Sequence, residues 1–190
     1  MSSTAIEKCF KAVLAFHGNE SHGHLNKSHW NAVKNYDKEL YASLNPEFLE
    51  LNKNVYLLRY TDNLPLNFNV VIASREFLAE LDQTILSISQ LFQIGERDEN
   101  YRLTLLERLI SSRDHRACTE NHIISGEPKE AYIYNKPQFI YELRNHGIGN
   151  LFEAMYWSKE KPECASFLRS GFTPSDASGR SFKLSFTQHK

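Results

Sequence analysis

The chain has 190 residues, 41% apolar and 24% charged, near globular norms; this excludes wholesale disorder and leads us to expect one domain over 1–190 with its own core. A formal net charge of −1 excludes strong whole-molecule attraction to nucleic acid, while a local basic patch stays open. Cys9, Cys118 and Cys164 are odd in number and far apart, which excludes a disulfide framework or a paired-cysteine zinc motif and points to a reducing, cytoplasmic compartment.

At the N-terminus, Ser3 or Thr4 can cap a first helix with Ile6, Phe10, Val13 and Leu14 on one face. Lys8 and Lys11 interrupt this stretch and no basic region precedes it, so a signal peptide is not expected. A polar loop follows from His17 to Lys27. Ser28 then precedes a helical stretch carrying Trp30, Val33, Leu40 and Leu44, which Asn45-Pro46 ends. Phe48, Leu51, Val55 and Leu58 read as a short helix, broken by Asp62-Asn63-Leu64-Pro65.

Residues 67–94 carry the strongest pattern. Val71, Ser74, Leu78, Leu81, Ile85, Ile88 and Phe92 alternate steps of four and three, as a helical stripe does, with Gly95 as its stop. Tyr101, Leu105, Leu106, Leu109 and Ile110 form a second periodic run. Two such helices joined by a short polar link pack antiparallel, so a core hairpin over 67–122 is expected. Gly126-Glu127-Pro128 is a turn, and Tyr132-Ile133-Tyr134 reads as a short extended piece. Asn135 and Pro137 suit a helix start, which predicts a helix over 135–147 with Phe139, Ile140 and Leu143 buried and Gly147 as its stop. Residues 151–157 read as another turn or two of helix. From 159 to 190 the chain is polar and irregular, with one terminal strand suggested by Phe182, Leu184 and Phe186. The expected fold is mainly α: a helical bundle around a long antiparallel helix hairpin, with a short β or irregular C-terminal segment. No apolar run approaches the ~18 residues that span a bilayer, so no membrane partner is expected.

Three groups of residues could carry chemistry. Arg144, Asn145 and His146 lie in a row at the expected helix end. A guanidinium there can hold a phosphate, an imidazole can move protons near neutral pH, and an amide can orient either. Together they suit RNA cleavage without a metal; equally, cations at a helix C-terminus simply offset its dipole. Arg113 and Arg116, with His122 six residues on, form a second basic cluster suited to phosphate contacts, or else a solvated helix end. The third group is His17, His22, His24 and His29, with Glu20 among them. His22 and His24 could bind a metal in a loop, though no carboxylate or cysteine completes a recognised spacing. No glycine-rich phosphate loop, nucleophile elbow or HExxH pair occurs, and no cofactor is expected.

The phrase Tyr141-Glu-Leu-Arg-Asn145 resembles the motif region of HEPN domains, especially their abortive-infection-like branch, and Val70 to Asp82 is similar to that family's first core helix. The resemblance implies a helical bundle that forms a homodimer, with two motif copies meeting to make one ribonuclease site. Arg144 would then contact the scissile phosphate and Asn145 would match the polar position. The family's histidine would fall near 149–151, where this chain has Gly149, Asn150 and Leu151, so His146 is the nearest imidazole. The leading expectation is an RNA-acting protein, an endoribonuclease of toxin or defence type. Its first rival is a non-enzymatic module that binds a protein partner, as an inhibitor, immunity or regulatory protein does. The second rival is a metal-dependent enzyme built on the histidine cluster.

Overall fold

The computed structural model describes residues 2–59, 64–92, 103–147 and 151–172. Helices α1 (Ser2–Phe16), α2 (Lys27–Tyr36), α3 (Lys38–Ser43) and α4 (Pro46–Asn54) come first, followed by a 3-10 turn at Val55–Arg59. Strand β1 (Phe68–Ala73) runs straight into the longest helix, α5 (Ser74–Gln90). Four short helices follow: α6 (Leu105–Ser111), α7 (His115–Cys118), α8 (His122–Ser125) and α9 (Lys129–Tyr134). Strands β2 (Gln138–Asn145), β3 (Leu151–Ser158) and β4 (Arg169–Phe172) complete a sheet of order β3-β2-β1-β4, antiparallel throughout. Among the described residues no helix is long and apolar enough to cross a membrane.

The mainly α bundle is thus corrected to a mixed α/β architecture in which helices cover a four-stranded sheet. The expected 67–122 hairpin fails at both ends. Val70, Val71 and Ile72 are β-branched, and Asn67 turns the chain with a left-handed φ of 63°, so 68–73 is a strand. Its second arm shrinks to α6, which buries none of its residues. The expected helix over 135–147 is strand β2. Asn135 ends α9 instead of starting a helix, and strands on both sides satisfy the backbone of β2. Residues 151–157 are likewise strand, whereas Tyr132-Ile133-Tyr134 is helical. The stretch read as one helix through Leu44 breaks at Asp37, which caps α3, and the cap of α2 is Asn26 rather than Ser28. Gly95, Tyr101 and the strand expected at Phe182 to Phe186 lie outside the described residues.

The core forms between the helices and one sheet face. Ile6, Phe10 and Val13 of α1 meet Phe48 and Leu51 of α4, Ile88 of α5, and Phe68, Val70 and Leu143 of the sheet. Burying each such side chain is worth about 1.5–3 kcal/mol relative to exposure. On the opposite face Val71, Ala73 and Ile140 form a smaller cluster under Phe167. The first turn of α5 is stitched to the sheet: Gln138 Oε1 accepts from the Glu76 amide at 3.2 Å, and Ser74 Oγ accepts from the Phe139 amide at 3.1 Å. Glu76 in turn accepts from the Phe167 amide at 3.0 Å, which brings the chain round to β4. Burial raises the Glu76 carboxyl above its ordinary pKa despite that bond.

Candidate functional site

Strand β3 lies at the edge of the sheet; among the described residues it has a strand on one side only. Its partner β2 sets its register, with Phe139 opposite Trp157, Tyr141 opposite Met155, and Leu143 opposite Glu153. Directly opposed residues of an antiparallel pair share a face. Leu151, Glu153, Met155 and Trp157 therefore lie on the face that holds Leu143 and Val70, the core face. Among the described residues no helix covers that end of the sheet. Leu151 is 48%, Met155 60% and Trp157 70% exposed, an exposed row that is apolar except at Glu153. Phe139 holds the Trp157 ring edge-to-face at 5.9 Å, so the indole is placed rather than loose.

The other face of the same hairpin carries a polar cluster beside Ile140. Glu142 Oε2 takes Arg144 Nη2 at 3.3 Å, and Glu142 Oε1 accepts from the Tyr156 hydroxyl at 2.7 Å. Burial, then Glu142, push the Tyr156 hydroxyl well above the usual tyrosine range. Arg144 thus stands beside a carboxylate, which opposes the approach of a phosphate to the same guanidinium. Asn145 serves the backbone. Its Nδ2 donates to the carbonyls of Leu64 at 2.7 Å and Pro65 at 3.1 Å, and its Oδ1 accepts from the Gly147 amide at 3.0 Å. His146 is exposed one residue beyond the strand. The three candidate residues of the RNA-cutting reading are neighbours in the chain, but the structure gives them separate surroundings.

The second candidate group also disperses. Arg113 is exposed in a left-handed turn with φ 52°. Arg116 forks onto Asp114, with Nε–Oδ1 at 2.9 Å and Nη2–Oδ2 at 2.7 Å, and this arginine holds the Asp114 carboxyl far below its ordinary pKa. His122 is buried, 6% exposed, against the Tyr132 ring at 5.6 Å. The histidines near the N-terminus part company too. His17 stacks on Tyr36 at 3.9 Å. His22 and His24 project into solvent, 3.9 Å from Glu20 and 3.6 Å from Glu7. His29 is buried and bonded through Nε2 to Ser21 Oγ at 2.8 Å; burial lowers its pKa. Among the described residues no three His, Cys, Asp or Glu side chains come together as a metal site would require.

A polar knot under α5 had no clear signal in the sequence. Arg75 Nε donates to the Tyr132 carbonyl at 2.6 Å, its Nη1 meets Glu120 at 2.9 Å, and its guanidinium lies 4.1 Å from the Tyr132 ring centre. The Tyr132 hydroxyl donates to the Glu120 carbonyl at 2.8 Å and is pushed up to about 12, first by burial and then by Glu120. Asp82, raised to about 6 by burial, faces His122 from the same helix. Arg75, Glu120 and Tyr132 spend their bonding groups on one another, as a structural knot does.

No family model, curated protein or solved structure matches the chain. The site therefore rests on its own geometry, and β3 is its most unusual feature. Sequence reasoning missed it because the run Leu151 to Trp157 is apolar on both alternations. Such a run has neither a clean two-residue nor a clean 3.6-residue period.

Proposed function

We propose that this chain is a non-enzymatic protein-binding module that takes up an extended polypeptide segment along the outer edge of β3. The observation that carries the reading is the uncovered row of Leu151, Met155 and Trp157 on an edge strand. An edge strand presents outward N–H and C=O groups, and an arriving strand satisfies them while covering the side chains beside it. Edges are commonly blunted by lysine, proline or shortness. β3 has eight residues, neither lysine nor proline, and Glu153 as its single charge. Aromatic residues and methionine are also the types enriched where proteins meet.

Two features weigh against catalysis by Arg144. Its guanidinium neighbours Glu142, and the Asn145 amide braces the Leu64–Pro65 turn. A helix-borne motif of the kind the HEPN resemblance implies is not available where residues 138–145 form a strand.

A displayed library of random linear peptides, selected against the purified chain, tests the reading. Recovered peptides should alternate apolar and polar residues and protect amides of 151–158 from hydrogen exchange. Met155→Arg should weaken them at least tenfold, since one charge enters an apolar contact. Peptides that protect other segments instead would sink the reading. So would RNA cleavage in EDTA that disappears in Arg144→Ala, which would restore the nuclease.

A further inference from the structure

We infer that the segment received by β3 is β3 of a second copy of this chain, paired antiparallel about a two-fold axis at Ala154. The inference rests on the strand-addition reading of the same edge and names its occupant.

When a strand pairs with its own copy about an axis normal to the sheet, opposed residues share a face, so the axis must fall on a residue. With Ala154 on the axis, Leu151 lies opposite Trp157 on the core-side face, and Phe152 lies opposite Tyr156 on the other. Glu153 then meets Met155, whose flexible chain can lie along the carboxylate's stem. Both faces are matched, and seven of the eight residues of β3 take part. The neighbouring registers are worse. An axis on Glu153 sets two carboxylates directly opposite each other, which destabilises the pair. An axis on Met155 sets Glu153 against Trp157 and Leu151 against Lys159, past the strand's end at Ser158. An axis on Tyr156 leaves only Ala154 to Ser158 overlapping.

Size and charge agree with a reversible dimer. The exposed parts of Leu151, Met155, Tyr156 and Trp157 come to about 400 Å² per copy, taking roughly 200 Å² for a large apolar side chain. With the main chain added, that is the small end of the interface range, where a standard contact covers about 800 Å² per partner and weaker ones exchange in the roughly micromolar range. A net charge of −1 sets almost no repulsion between copies.

Sedimentation of the full chain from roughly 1 µM to 1 mM should show the mass pass from one chain to two. Met155→Asp should shift that transition at least tenfold higher in concentration with an unchanged circular dichroism spectrum, because it sets a second carboxylate opposite Glu153 of the other copy and the side chain it replaces is exposed. Register is read by cross-linking in a Cys118→Ser/Cys164→Ser background. Opposed Cα atoms at the axis lie about 4.5–5.5 Å apart, within disulfide reach. Ala154→Cys should give a linked dimer on mild oxidation and Glu153→Cys should not. A chain monomeric throughout that still binds selected peptides at β3 overturns the second-copy inference and leaves strand addition standing; a monomer that binds none sinks both. A dimer indifferent to Met155→Asp, or linked through Glu153→Cys and not Ala154→Cys, also overturns the inference.

Discussion

Asn145 illustrates how a side chain chosen for chemistry can be used for structure. Its amide satisfies the carbonyls of Leu64 and Pro65, and the Asn67 amide donates to the Asn145 carbonyl at 2.7 Å, so one residue closes the entry to β1 onto the exit of β2. Asn145→Ala should cost about 1–3 kcal/mol in denaturant unfolding, the cost of orphaned carbonyls. Arg144→Ala, which breaks a partly exposed pair, should cost less than about 1 kcal/mol. The reverse order would mean that Arg144 carries more than its contact with Glu142. Asp82 carries a pH signature. Burial raises its carboxyl from 3.8 to about 6, so the folded state holds this proton more tightly than the unfolded chain does. The gain is complete below the unfolded value near 3.8 and is lost as pH rises through 6. Asp82→Asn should therefore be about 1 kcal/mol more stable than the parent at pH 7, allowing for solvent screening of a half-exposed group, and no more stable below about pH 4. Unfolding curves at the two pH values decide it.

Among the elements, α5 and α6 are opposites. α5 buries Ala79, Thr84 and Ile88 and is tied to β2 through its first turn. α6 has a full capping box between Thr104 and Glu107 but buries nothing, and Leu105 is 65% exposed. A seven-residue helix without packing is marginal in water whatever its caps. Its amides should exchange within seconds while those of α5 stay protected for hours, as hydrogen-exchange mass spectrometry would show. Protection of α6 in the isolated chain would mean that something covers its leucines. The same contrast explains the sequence reading. The stripe Leu81, Ile85 and Ile88 announced α5 correctly, because one face of a half-buried helix repeats every three to four residues. The run at 105–110 has the same period without a core to meet. β2 was illegible for a different reason: it buries Ile140 on one face and Leu143 on the other, and Phe139, Ile140 and Leu143 then mimic a helical spacing.

At the scale of the whole molecule, the four histidines near the N-terminus are divided between a stack, two solvent positions and a buried hydrogen bond. Purified protein exposed to zinc and then desalted should hold well under one equivalent by elemental analysis. Stoichiometric retention lost in His22→Ala/His24→Ala would revive the metal reading. The sequence by itself determined the amphipathic faces of α1, α2 and α5 and the breaks at Asn45-Pro46 and Gly126, because these follow from local period and residue type. Only the tertiary structure decided that 138–145 and 151–158 are strands, that Asn145 is a brace, and that Leu151, Met155 and Trp157 stay uncovered. A strand exists only through its neighbours, and whether an apolar side chain is core or surface depends on how far the helices reach across the sheet. Neither is a property of the local run of residues.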